Sequence, residues 1–121
     1  MTDAKPDPLA AFLIERFKHA ALVAHYGHED EDDPMQIAGI KAAERAAQGL
    51  DAMGPDGRRA LVPLLDDPDW GIRAYAAGYL VRLFPERALA VLEEISARCP
   101  TAARMTACRM QIAHEQARLH L

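Results

Sequence analysis

The chain has 121 residues, half of them apolar, and 18 acids against 14 bases give a formal net charge of −4. That length fits one domain, 1–121, large enough to bury a core without staples, and the apolar share excludes disorder over most of it. The negative balance, with no basic cluster, argues against a nucleic-acid partner, whose binders carry a positive footprint for phosphate.

Alanine is abundant and β-branched residues are few, which favours helix. No run of about 20 apolar residues occurs, so no membrane span is predicted. The opening MTDAKPDPLA lacks a basic region followed by an apolar one. The expectation is therefore a cytoplasmic protein. Cys99 and Cys108 follow no CxxC spacing and are expected as reduced thiols.

Met1 to Asp7 reads as a polar lead-in. Asp7 and Pro8 start a first helix, with Leu9, Phe12, Leu13, Phe17, Ala20 and Ala24 as its apolar stripe, ending near Gly27. His28 to Asp33, HEDEDD, reads as a solvated loop. Pro34 restarts a helix with Asp33 as its cap. Ile37, Ile40, Ala43, Ala47 and Leu50 form its stripe, and Gly54-Pro55 closes it. A short third helix runs from about Asp56 to Leu65, with Ala60, Leu61, Leu64 and Leu65 inward and Pro63 kinking or limiting it. Asp69 caps a fourth, in which Ile72, Ala76, Tyr79, Leu80 and Leu83 fall at helical spacing before Phe84-Pro85 breaks it. Pro85-Glu86 begins a fifth, with Ala88, Val91, Leu92 and Ile95 buried and a break at Cys99-Pro100. A sixth runs from Thr101 toward Leu119, with Met105, Cys108, Ile112 and Leu119 along one side. Short turns make sequential helices antiparallel neighbours, and no alternating run predicts a strand.

The later helix pairs echo each other. Leu61 to Leu65, a turn and Arg73-Ala74-Tyr75-Ala76-Ala77 are matched by Val91 to Ile95, a turn and Arg104-Met105-Thr106-Ala107-Cys108, with Arg73 and Arg104 31 residues apart. Helix–turn–helix units of this length stack into solenoids, and about three are needed for stability. The segment LVPLLDDPDWGIRAYAAGYL resembles the HEAT-repeat consensus at Leu64, Leu65, Asp67, Pro68, Asp69, Ile72, Arg73, Ala76 and Ala77. That resemblance implies an all-α superhelix, a HEAT/armadillo-like solenoid of about three antiparallel helix pairs. It also implies that Asp69 caps the second helix of its unit and that Arg73 bridges to turn acids, often in the adjoining unit. The whole chain is similar to a bacterial family of short HEAT-like proteins, a domain of unknown function, through the Gly54 to Arg58 junction, the LLDDPD turn and the Pro85 to Leu92 helix. Membership would imply, for some relatives, a place beside secreted toxins as immunity proteins.

Candidate chemistry is sparse. His25 and His28, with Glu29 and Asp30 beside them, bring metal-ligand types together at a helix end, but a dipole-favoured histidine terminus and a solvated acidic loop explain them as well. The pairs His28-Glu29 and His114-Glu115 are similar to those of a HEAT-repeat hydroxylase family that binds two irons, though that family has more of them at fixed repeat positions. Cys108 beside Arg104 and Arg109 has cations that favour a thiolate, while its spacing from Met105 and Ile112 reads as core. No phosphate loop or nucleophile elbow is present. Trp70, the only tryptophan, stands on the turn entering the fourth helix, either as an interface anchor or as a lid over Pro68 or Pro63. Glu29, Asp30, Glu31, Asp32 and Asp33 could steer a basic partner. The expectation is a protein–protein interaction module, an immunity or adaptor protein, binding a basic partner through these acids and Trp70, as monomer or homodimer. No enzyme activity, cofactor, bound metal or membrane is expected. The alternative is a metal-binding protein or small metal-dependent enzyme using the His-Glu pairs.

Overall fold

The computed structural model describes residues 7–29 and 31–98, the side chains of residues 28 and 29 aside. The predicted sixth helix, the repeat echo from Arg104 to Cys108, and His114-Glu115 lie outside the described residues, as do residues 1–6 and Asp30. What is described is all-helical: α1 (Pro8–Glu29), α2 (Asp33–Asp51), a 3-10 helix (Gly57–Asp66), α3 (Trp70–Leu80) and α4 (Pro85–Arg98), with no strand among these residues. None of these helices is long and apolar enough to cross a membrane.

Local chemistry sets each boundary. The Asp7 carboxylate accepts from Leu9 N–H at 2.8 Å and opens α1. The helix runs to Glu29, two residues past the expected end, which shortens the predicted loop. Glu31 then takes a left-handed φ of +54°, and Asp32 N–H donates to the Gly27 carbonyl at 2.8 Å, closing the helix end. This reversal moves the cap by one residue. Asp32, not Asp33, accepts from Met35 N–H at 3.0 Å, while Asp33 and Pro34 form the first turn of α2. At the far end Ala52 caps α2, and Gly54 beyond it takes φ +122°, a conformation that a side chain would strain.

The third element is wound as a 3-10 helix throughout. Pro63 has no N–H for the carbonyl four residues back, and its ring would clash there. Three residues per turn then align Leu61 and Leu64, both buried with Leu65, while Ala60 is half-buried. Helix α3 stops at Leu80, whose carbonyl accepts from both Leu83 and Phe84, because Pro85 keeps Phe84 out of helical geometry. Leu83 is therefore exposed rather than inward.

Helices α1 and α2 pair most extensively. Ideal side chains cannot separate them at Gly39, where a Cβ would lie 2.3 Å from Ala24 N and 2.8 Å from Ala20 O. Helix α1 also packs on α3 and the 3-10 helix, and α3 packs on both the 3-10 helix and α4. One core joins all five elements through Phe17, Leu50, Leu61, Leu65, Leu80 and Leu92. The outer ends of the first two predicted stripes are not in it. Leu9, Phe12, Ile37 and Ile40 are exposed, Phe12 by 56%. The close α1–α2 approach centres burial on Ala20, Ala24, Ala43 and Ala47, so the larger side chains are left at the margins of each contact arc.

Candidate interaction surface

The Asp-Pro-Asp corner is built from its own backbone outward. Asp67 accepts from Asp69 N–H at 2.9 Å, and Asp69 accepts from Ile72 N–H at 3.1 Å, capping α3. Asp67 also faces Lys18 of α1 at 3.6 Å. Arg73 turns away from the corner acids. Its Nε donates to the Leu65 carbonyl at 3.2 Å and its Nη2 to Glu94 of α4 at 2.9 Å. The remaining corner acid, Asp66, is taken by Arg87 of α4 at 2.8 Å. Trp70 is half-buried against the core, and the Arg73 guanidinium covers its ring at 4.5 Å. Pro68 is exposed at the corner's apex.

The acidic segment is the corner between α1 and α2. Glu31, Asp32 and Asp33 are exposed there, with Asp32 committed to its cap. Asp30 and the side chains of His28 and Glu29 lie outside the described residues. His25 is buried, edge-on to Tyr26 at 5.6 Å, with its ring against Gly71 at the start of α3. Among the described residues no three His, Cys, Asp or Glu gather where a metal ion could be held.

A second cluster stands at the end of α2. Arg58 chelates Asp51, its Nε lying 2.8 Å from Oδ1, donates to the Tyr79 carbonyl at 3.2 Å and lies over the Tyr79 ring at 5.6 Å. Burial holds the Tyr79 phenol above its ordinary range; Glu44 pushes the same way and Arg58 opposes them. The guanidinium thus clamps α2, the 3-10 helix and α3 together, beside an open hollow of about 630 Å³ that Arg82 and Leu83 also line.

A mostly apolar groove of about 560 Å³ runs along the α1–α2 seam. Phe12, Ala20 and Val23 line it from α1, and Ala38, Gly39 and Ala42 from α2. A smaller hollow of about 230 Å³ adjoins it at Phe12, Arg16 and Ala42 and reaches Leu13, Arg45 and Ala46. The main groove's volume falls within the range of small-molecule pockets, roughly 300–1,000 Å³. Its polar side chains, Glu15, Arg16 and His19, all come from α1. Comparison with protein-family models, curated proteins and solved structures returns no match. The groove thus stands on its own geometry.

Two of its members escaped the sequence reading. Arg16 lies 5.7 Å from the Phe12 ring, and neither Arg16 nor Arg45 is in an ion pair among the described residues. Helical periodicity assigns both to a solvated face. Only the exposure of Phe12 beside them shows that this face is partly apolar.

Proposed function

We propose that the chain is a protein-binding module of the short HEAT-like kind, its helix pairs stacked into a brief solenoid in a reducing, cytoplasmic setting. The resemblance at Leu64 to Ala77 motivates the repeat. The observation that carries the binding function is the exposure of Leu9, Phe12, Ile37 and Ile40 on the α1–α2 hairpin. A terminal repeat of a solenoid needs a polar outer face to stay soluble, and large apolar side chains left on one mark a surface that another protein covers. The acids Glu31, Asp32 and Asp33 at the same hairpin's corner favour a partner with basic groups, as an immunity or adaptor protein would meet.

Affinity capture from native cell extract tests this, comparing the wild type with a Leu9→Glu/Phe12→Glu variant at low and high salt. The expected result is a partner held by the wild type at low salt, weakened by salt and lost in the variant. Recovery of nothing specific to the wild type at low salt would refute the binding function. The alternative of a metal protein using His25, His28 and Glu29 requires stoichiometric iron, zinc or manganese in untagged protein, read by elemental analysis.

A further inference from the structure

We propose that the α1–α2 groove docks a single amphipathic helix whose apolar stripe carries carboxylates at one end and cations at the other. This deepens the protein-binding reading and rests on it. The small side chains of Ala20, Ala38, Gly39 and Ala42 floor the groove, so a helix stripe can approach closely, and Phe12 projects beside it as an exposed apolar knob. Helix-in-groove recognition uses this combination of floor and anchor.

Charge selects the occupant. Arg16 and Arg45 stand on opposite sides of the groove's end nearer the α1 N-terminus, and neither has a carboxylate partner among the described residues. Glu15 and His19 share the α1 side, so the field there is set by two arginines against one glutamate. The other end, at Val23 and Ala38, runs toward the corner where Glu31, Asp32 and Asp33 are exposed. From Arg16 to the end of α1 is about 20 Å at 1.5 Å per residue. A partner helix therefore needs its acidic and basic groups separated by about three and a half turns. A uniformly acidic helix would meet repulsion at the corner, and a uniformly basic one would meet it at the arginines.

Fluorescence anisotropy with four labelled synthetic helices of about 20 residues tests the assignment. One carries glutamates in its first turns and lysines in its last, one only glutamates, one only lysines, and one has the bipolar charges but a broken apolar stripe. The bipolar helix should bind at least tenfold more tightly than each of the others. Binding should weaken at least tenfold in Arg16→Glu/Arg45→Glu and in Phe12→Glu, whose circular dichroism should match the wild type because all three positions are exposed. Equal binding of the all-acidic or all-basic helix, or none up to millimolar concentration, overturns the proposal. So does sedimentation showing a homodimer that Phe12→Glu dissolves, since the occupant is then a second copy. A partner captured from extract independently of Arg16 and Arg45 would leave the binding function standing while removing this groove from it.

Discussion

Arg73 makes three contacts with one guanidinium, and they do not weigh alike. The pair with Glu94 is half-exposed on the acid's side, and such pairs contribute about 0–1 kcal/mol. The bond to the Leu65 carbonyl matters more, because it is part-buried at the end of the 3-10 helix and the residue three positions on, Pro68, has no N–H to donate to it. Stacking on Trp70 adds about 0.5–1 kcal/mol. Arg73→Ala is therefore expected to cost about 2–3 kcal/mol, mostly from the stranded carbonyl. Arg87→Ala, which removes only the exposed contact with Asp66, should change stability by less than about 0.5 kcal/mol. Urea midpoints at unchanged slope measure both, and equal costs for the two would show that Arg73 acts only as a surface charge. The sequence marked Arg73 as structural through its repeat position. Its partners were not legible, because Glu94 comes from another helix and the Leu65 carbonyl carries no side-chain signal.

Between elements, the α1–α2 contact turns on glycine. In an exposed helix Gly→Ala stabilises by about 1 kcal/mol. At Gly39 the sign reverses, since a Cβ 2.3 Å from Ala24 N meets backbone that cannot swing aside. Gly39→Ala is expected to lose about 1–3 kcal/mol as the helices are forced apart, read as a lowered thermal midpoint. An unchanged or raised midpoint would mean the helices are not in contact there. The existence of α1, α2, α3 and α4 was legible from stripes, prolines and caps, because those signals act within a few residues. The winding of the third element into a 3-10 helix was only hinted at by Pro63. The groove was hidden for a different reason. Periodicity places Leu9, Phe12, Ile37 and Ile40 on apolar stripes, but how wide an arc each stripe buries depends on how closely the neighbouring helix comes. Here Gly39 and the alanines bring it so close that the arc ends short of them.

Across the described residues, four ion pairs reach between helices or to the corner that joins them: Lys18 to Asp67, Arg58 to Asp51, Arg73 to Glu94 and Arg87 to Asp66. Their contribution is small beside that of the apolar core, which runs without a break from Phe17 in α1 to Ile95 in α4. Phe17 is the joint. Its ring is fully buried and meets Tyr79 of α3 edge-on at 5.3 Å, so it belongs both to the α1–α2 hairpin and to the packing around α3. Phe17→Ala should cost about 3–5 kcal/mol, a large share of the roughly 5–15 kcal/mol that holds a domain together, and lower the thermal midpoint by more than about 10 °C. Because Trp70 lies on α3, its fluorescence reports on the packing around α3 while helical circular dichroism reports on every helix. A continuous core requires both signals to move together in the wild type and in the variant. If Phe17→Ala melts half the helix signal while Trp70 stays native, the hairpins fold as separate units, and the core is two cores in contact.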